Sequence, residues 1–434
     1  RTTAGPPPDL RRSRAGAGGR GRPGRRRGWR APVGAVIVGD MQAALDPYTP
    51  GSGKPPQALV GRDNDIDALD ALIVRAARGL GPARPILLTG LRGVGKTVLL
   101  NAMMDRAAAE KWFTVKIEAS RGKAGAVRAR RAIAAGLVRA SMAYRERSAV
   151  AAVGRMLATV SSFSVSVGAD SFSLGVERDP VRASTGSLDL DLQDVVADVS
   201  GVLEQERVAF VILVDEMQDL DGELLSALIT TQHEASQRDW NFYVIGAGLP
   251  SLPGKLATAK SYAERMFLVR RIGRLNEAES RRVLVEPAER MGASFEEPAL
   301  THLVNISGRY PYFLQEFGSA IWRISPRSPF TGADARRAEA VGLAQLDAMF
   351  FAARWERVTP AEREYLGAMA EEVDDSPTST AIAARLNRSA QSLGPARANL
   401  INKGLIYAPQ RGRIAFTVPG FGQYIARQMA QEQG

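Results

Sequence analysis

The sequence predicts an α/β fold in which a parallel sheet carries helices on both faces, followed by a helical region and a smaller C-terminal domain. Between residues 57 and 274, short apolar runs that are typical of buried strands alternate with stretches of helical period. Strands that alternate with helices form parallel sheets covered by helices. Residues 275–355 show helical patterns throughout, and residues 356–434 show three short helical patterns followed by a predicted hairpin.

The predicted strands of the sheet are five apolar runs, at Pro85–Gly90, Trp112–Ala119, Val208–Asp215, Asn241–Gly248 and Met266–Ile272. The third run is apolar at seven consecutive positions, as expected for a strand covered on both faces. Residues 163–176 alternate apolar and polar residues around a Gly-containing turn, which predicts an additional β-hairpin inserted between strands of the sheet. Nearer the C-terminus, Thr359 to Glu362 match a capping box with proline at the first helical position.

The composition excludes several kinds of chemistry. The 434 residues include no cysteine and two histidines, His233 and His302, which lie far apart in the chain. Disulfides, thiol nucleophiles and Cys-ligated metals are therefore excluded, and a His-rich metal site is not expected. Any reaction must use carboxylates, lysines, arginines, hydroxyls or main-chain amides. Because no apolar run approaches 18 residues, we expect no transmembrane helix, no membrane partner and a cytoplasmic location.

The positive charge is concentrated in the first 40 residues. The net charge of the chain is +11, and residues 1–40 hold ten arginines against Asp9 and Asp40, which leaves about +3 for the remainder. We expect residues 1–56, rich in Gly, Pro and Arg, to form a disordered lead. Two interpretations of its basic part stay open: the native chain starts at Met41, or the part is a basic arm for nucleic acid. A signal peptide is disfavoured because the apolar run Ala31–Val38 is short.

A phosphate-binding loop is predicted between the first strand and the following helix. The motif G-x-x-x-x-G-K-[ST] is matched by Gly90, Leu91, Arg92, Gly93, Val94, Gly95, Lys96 and Thr97. Its glycines allow main-chain amides to point at phosphate oxygens, and the helix N-terminus favours negative charge. We expect Lys96 to reach the β- and γ-phosphates of ATP and Thr97 to offer its hydroxyl to Mg²⁺.

Two carboxylates follow the third predicted strand. Asp215 ends the apolar run and Glu216 comes directly after it. A carboxylate at the end of a buried strand can hold Mg²⁺, and an adjacent carboxylate can act as general base towards water. We therefore expect Asp215 to be a magnesium ligand together with Thr97, and Glu216 and Lys96 to be catalytic.

The order of these elements resembles the AAA+ class of P-loop ATPases. LVGRD (Leu59–Asp63) looks like the N-terminal box of its origin-recognition and STAND-like branch, and DEMQ (Asp215–Gln218) resembles the D-E-x-Q of archaeal-type ATPases. GRYPYFLQ (Gly308–Gln315) is similar to a G-x-x-P lid motif, and three helices with a hairpin are the winged-helix arrangement typical of this branch. The resemblance covers residues 57–425 and extends to a bacterial, largely actinobacterial, group with the segments GAGLPSLPG, AKSYAERMF and TVPGF.

The resemblance implies a domain organisation and further site residues. We expect an ATPase core at 57–274 with the hairpin insertion, a helical lid at 275–355 and a winged-helix domain at 356–434. The implied nucleotide contacts are Val60 and Arg62 near adenine and Pro311 in the lid. Arg265 is implied as an arginine finger that acts on a neighbouring subunit of a homo-oligomer. The fourth strand lacks the usual polar sensor residue, and Gln218 is a hypothetical substitute.

The winged-helix domain leaves the partner open. Its predicted DNA-contacting residues are Gln391, Arg397, Lys403, Arg411 and Arg413. One hypothesis is an ATP-hydrolysing switch that assembles on duplex DNA. The alternative is a signalling or scaffold switch with a protein partner, in which the winged helix clamps the nucleotide and turnover is slow or absent. A third option is a nucleotide-binding module without turnover.

Overall fold

A five-stranded parallel sheet forms the centre of the first part of the protein. The computed structural model describes residues 45–433, except residues 52, 146–152, 169–181 and 373–375. The strands are β1 Ile86–Thr89, β2 Phe113–Glu118, β3 Phe210–Asp215, β4 Phe242–Gly248 and β5 Leu268–Arg271. They lie in the order β2-β3-β4-β1-β5 and pair in parallel. The predicted α/β class is confirmed, and each strand lies within one predicted apolar run.

Helices cover both faces of this sheet. They are α1 Asp63–Ala77, α2 Lys96–Ala109, α3 Lys123–Arg145, α4 Val153–Ser166, α5 Leu188–Leu203, α6 Gly222–Gln237, α7 Leu252–Ala259 and α8 Ala263–Met266. The first two pack on the face to which Val211 and Leu213 belong, whereas α3 to α6 pack on the face of Ile212 and Val214. Since β3 is buried on both faces, its uninterrupted apolar run is explained. No helix in the described part of the chain is long and apolar enough to span a membrane.

The predicted β-hairpin at residues 163–176 is wrong where the structure describes it. Phe163 lies in the last turns of α4, not in a strand, and is 1% exposed. It shares an apolar cluster with Met156 and Val160, which precede it by seven and three residues. This helical spacing extends over two turns and outweighs the shorter alternation of apolar residues that follows it. The second predicted strand falls in residues 169–181, outside the described residues.

The remaining elements are mostly helical. After β5 come α9 Glu277–Arg290, α10 Glu297–Ile306, α11 Pro311–Ile324, α12 Gly332–Leu346, a π-helical turn Asp347–Phe351 and α13 Ala352–Trp355. Then follow α14 Pro360–Ala370, α15 Ser379–Arg385, α16 Gly394–Asn402, the antiparallel strands β6 Ile406–Tyr407 and β7 Ala415–Phe416, and α17 Phe421–Gln433. One apolar cluster runs through all of these helices, so the expected boundary near residue 355 falls inside a shared core.

Part of the lead expected to be disordered is packed against α9 and α11. Tyr48 is 3% exposed, belongs to the same apolar cluster, and donates its hydroxyl hydrogen to the carbonyl of Leu284. The main-chain N–H of Thr49 donates to Gln315 at 2.9 Å. A Cβ at Gly318 would lie 2.6 Å from the Tyr48 ring, so this glycine admits the ring. One aromatic anchor therefore orders a segment whose Pro- and Gly-rich composition predicted disorder.

Replacing Tyr48 with alanine is expected to lower the free energy of unfolding by about 3 kcal/mol, because a buried aromatic ring is lost and a cavity is left. Tyr48→Phe is the matched control: it keeps the ring and removes one hydrogen bond, which costs about 1 kcal/mol. Urea denaturation of both variants measures the difference. Equal stability of Tyr48→Ala and the unaltered chain would contradict the packing of the lead.

Candidate functional site

The predicted phosphate-binding loop connects β1 to α2, as the motif requires. Gly93 and Gly95 have φ values of +83° and +91°, a backbone region that favours glycine. A Cβ at Gly90 would lie 2.2 Å from the carbonyl oxygen of Ile272, so the loop starts in close contact with the chain after β5. The loop conformation and its tight approach to the sheet thus both depend on glycine.

The N-terminus of α2 is suited to an anion. Its N-cap, Gly95, provides no side-chain cap, and its first turn contains no acidic residue. Lys96 is 6% exposed there, and its ammonium donates to the carbonyl of Leu91 at 2.9 Å. Burial lowers the pKa of Lys96, although the carboxylates of Glu216 and Asp215 oppose this shift. Open main-chain amides beside a buried cation fit a phosphate group.

The two predicted carboxylates lie at the same edge of the sheet. Asp215 ends β3, is buried, and accepts a hydrogen bond from the main-chain N–H of Glu216 at 2.9 Å. Glu216 has a φ of +48°, an uncommon backbone conformation for a residue other than glycine. Its Oε2 lies 3.7 Å from the guanidinium of Arg92 in the loop. The backbone thus turns sharply after β3 and presents the second carboxylate to the phosphate loop.

The site provides oxygen donors of the kind that Mg²⁺ prefers, the Asp215 carboxylate and the Thr97 hydroxyl. Among the described residues, no three His, Asp or Glu side chains form a group that could hold a metal ion. Magnesium sites typically combine one or two protein oxygens with phosphate oxygens of a bound substrate. The donor set therefore fits Mg²⁺ that arrives with a nucleotide.

Gln218 supplies a polar group at the end of β4. The strand itself ends in Gly246, Ala247 and Gly248, without a polar side chain. The Oε1 of Gln218 accepts a hydrogen bond from the main-chain N–H of Leu249 at 3.0 Å, and its Nε2 donates to Glu216 Oε2. The amide therefore connects the end of β4 to the candidate general base.

The N-terminal box and the lid motif both contact the phosphate loop. Arg62 is buried and donates to the carbonyls of Val94 at 3.0 Å and Gly273 at 2.8 Å. Its neighbour Val60 is also buried. Pro311 begins α11, and the N–H of the next residue, Tyr312, donates to the carbonyl of Gly93 at 3.2 Å. The guanidinium of Arg62 thus braces the loop through main-chain carbonyls.

The C-terminal elements also reach the phosphate loop directly. The main-chain N–H of Arg92 donates to the carbonyl of Thr417 at 3.0 Å. Arg121, just after β2, donates to the carbonyls of Ile401, at 2.8 Å, and Asn402 at the end of α16. The same guanidinium pairs with Asp219, three residues after Glu216, at 2.6 Å. Arg92 and Arg121 therefore hold the C-terminal elements against the site.

Two of the predicted DNA-contacting residues are engaged within the chain. Lys403 pairs with the buried carboxylate of Glu362 at 2.6 Å, and Arg413 donates to the carbonyl of Ser376 at 2.7 Å. The others are exposed or half-buried: Gln391, Arg397 and Arg411. Arg265 is exposed at the end of α8, next to the edge strand β5.

The sequence did not indicate the contacts of Arg121 and Arg354. Arg121 follows the carboxyl end of a predicted parallel strand. Ligands bind at the carboxyl ends of such strands, so this position could have indicated that Arg121 lies near the site. Arg354 lies 4.5 Å over the ring of Phe350, which stacks on Tyr312 at 4.7 Å. Burial, and then the charge of Arg92, lower the pKa of Arg354 to about 10. Arg354 lies in α13, directly after the π-helical turn that carries Phe350, and the sequence did not indicate this turn.

A phosphate loop between β1 and α2, with paired carboxylates at the end of β3, defines a site of the P-loop nucleotide-binding class. In agreement, residues 58–245 match the model of the AAA ATPase domain. Residues 348–425 match a domain of unknown function (DUF8462). No curated protein matches the sequence.

Several solved structures are similar to this chain. The Walker-type ATPase paby2304 of Pyrococcus abyssi superposes with a TM-score of 0.56 at 15% identity, over 88% of this chain and 99% of that chain. The ADP form of the Aeropyrum pernix ORC2 protein gives 0.48 at 15% identity, over 88% and 97%. Cdc6p from Pyrobaculum aerophilum gives 0.45 at 14% identity, over 90% and 98%. The first similarity shows the fold of this chain.

Proposed function

We propose that the protein is a Mg²⁺-dependent ATPase that acts as a nucleotide-controlled switch, in which the phosphate loop sets the position of the C-terminal elements. The observation that carries this proposal is the direct contact between the loop and those elements, through the Arg92 N–H and the Thr417 carbonyl. A shift of the loop main chain on nucleotide binding would move or break this hydrogen bond. If nucleotide binds more tightly to one of these two arrangements of the C-terminal elements, with or without the hydrogen bond, it increases the population of that arrangement at the expense of the other.

Hydrolysis is assigned to the residues at the edge of the sheet. Lys96 and the amides of α2 bind the β- and γ-phosphates, while Thr97 and Asp215 would hold Mg²⁺, which would supply positive charge to offset that of the phosphates. Glu216 removes a proton from the attacking water. Val60, Arg62 and Pro311 complete the nucleotide site. Arg265 is proposed to act in trans, from its exposed position beside β5, in a homo-oligomer.

The C-terminal region, residues 356–434, is proposed to be a winged-helix domain that holds the nucleotide site, with residues 275–355 as the lid. The element order of three helices and a hairpin supports this assignment. The internal contacts of Lys403 and Arg413 favour a protein partner over assembly on duplex DNA. Salt-sensitive duplex binding that Arg411→Ala weakens would favour DNA assembly instead.

The switch is tested by replacing Arg121 with alanine. This change removes two hydrogen bonds to the end of α16 and one ion pair to Asp219. We expect hydrogen exchange of residues 401–407 to rise about 10-fold without nucleotide, because hydrogen bonds to charged groups contribute about 1.5–3 kcal/mol each. In the unaltered chain, Mg-ATP is expected to change the exchange of the same residues.

Arg128→Ala is the matched control, since this exposed arginine donates to Ser120 on the same stretch of chain and, among the described residues, makes no hydrogen bond or ion pair with α16. Exchange that responds neither to Mg-ATP nor to Arg121→Ala would reject the switch. ATP turnover that persists in that case would leave the ATPase assignment intact.

A further inference from the structure

We propose that Gln218 is a positioning residue, whose side-chain amide anchors the Glu216 carboxylate to the end of β4. The inference rests on the proposed ATPase function and adds the group that orients its general base. Gln218 is 9% exposed and lies in the short 3₁₀ turn Met217–Asp219 that follows the carboxylate. It therefore acts through Glu216 and is not itself assigned a contact with substrate.

Both ends of the Gln218 amide have a partner. The oxygen accepts the main-chain N–H of Leu249 at 3.0 Å, which leaves the NH₂ group facing Glu216 Oε2. An amide that meets an N–H at one end and a carboxylate at the other has a single satisfactory orientation. Glutamate at this position would set two carboxylates against each other, and alanine would leave Glu216 without its anchor.

Neighbouring residues on β4 and α7 fix the position of Gln218. A Cβ at Gly248 would lie 2.4 Å from the Gln218 oxygen, so glycine at the end of β4 makes room for the amide. The ammonium of Lys255, on α7, donates to the main-chain carbonyls of Gln218 at 2.6 Å and Leu220 at 2.7 Å. Lys255 thus holds the main chain of the turn, and the N–H of Leu249 holds the side chain of Gln218.

The contacts of Glu216 indicate which oxygen takes the proton. Within the described part of the chain, the hydrogen bond from Gln218 and the ion pair with Arg92 both involve Oε2. Oε1 is left for water. In the step that follows, a water proton passes to Oε1, the water oxygen forms a bond to the γ-phosphorus, and the bond from that phosphorus to the bridging oxygen of ADP breaks. Gln218 keeps Oε1 aimed at that water.

The test compares Gln218→Ala and the isosteric Gln218→Glu with the unaltered chain. We expect kcat for Mg-ATP hydrolysis to fall roughly 10- to 100-fold in both, since small displacements of a catalytic group have effects of this size. The dissociation constant for ATP should change less than twofold, because Gln218 is not assigned to nucleotide. In a Glu216→Gln background, Gln218→Ala should cause no further loss, since the two residues act as a unit.

Gln232→Ala is the matched control. Gln232 is also buried, and its amide contacts the start of β4. Its Nε2 donates to the carbonyl of Phe242 at 3.1 Å, and its Oε1 accepts from the N–H of Val244 at 2.7 Å. Its replacement should lower stability and leave kcat unchanged. The proposal is overturned if both Gln218 variants keep kcat within twofold, if Gln232→Ala lowers kcat equally, or if the loss adds to that of Glu216→Gln. Absence of turnover in the unaltered chain would overturn the ATPase assignment itself.

Discussion

Lys96→Ala is expected to abolish ATP hydrolysis and to weaken ATP binding about 10- to 100-fold. The ammonium is the buried cation at the N-terminus of α2, and hydrogen bonds to charged groups contribute about 1.5–3 kcal/mol. Titration calorimetry with a non-hydrolysable ATP analogue measures the loss. The thermal midpoint without nucleotide should not fall, because burying the charge of Lys96 costs free energy that alanine avoids.

Lys260→Ala is the control for this experiment, since Lys260 lies partly exposed just after α7. It should bind the analogue as tightly as the unaltered chain. An unchanged affinity in Lys96→Ala would show that the phosphate loop is not the nucleotide site, and the assignment of Thr97 and Asp215 would be lost with it.

Glu216→Gln is expected to lower turnover about 10²- to 10⁴-fold while ATP still binds, because removal of a general base has effects of this size. The substitution keeps the shape of the side chain and an oxygen that can accept the Gln218 hydrogen bond. The substitution removes the ion pair of Glu216 with Arg92. This pair is 3.7 Å long and partly exposed, so its loss should change the free energy of unfolding little. Single-turnover hydrolysis of bound ATP separates the chemical step from binding. Turnover that survives the substitution would assign the base to another residue.

Local signals in the sequence predicted much of the parallel sheet and of the candidate site at its edge. The phosphate loop, the apolar run of β3 and the carboxylates after it depend on neighbouring residues, and the structure places them together at one edge of the sheet. The capping box is a further example: Thr359 accepts the N–H of Glu362, and that carboxylate accepts the N–H of Thr359. Such features need no distant partner, so a single sequence is enough to find them.

Contacts between distant residues could not be predicted in this way. Arg121 and Asn402 are 281 positions apart, and neither has a local pattern that indicates the other. Tyr48 is ordered by residues of α9 and α11 more than 200 positions away. The sequence indicated Gln218 as a candidate but not the position of its amide, because the glycine that makes room for it, Gly248, lies at the end of β4.

The apolar cluster shared by α9 to α17 has a mechanical consequence. Since α9 to α17 are packed into one core, and Tyr48 joins them, we expect these helices to move as one rigid body relative to the sheet when nucleotide binds at the proposed site. The chain passes from the sheet to these helices through the connection from β5 to α9, where the guanidinium of Arg62 donates a hydrogen bond to the Gly273 carbonyl. A small rotation of α9 to α17 about this connection would produce a larger displacement at the C-terminal end of α17.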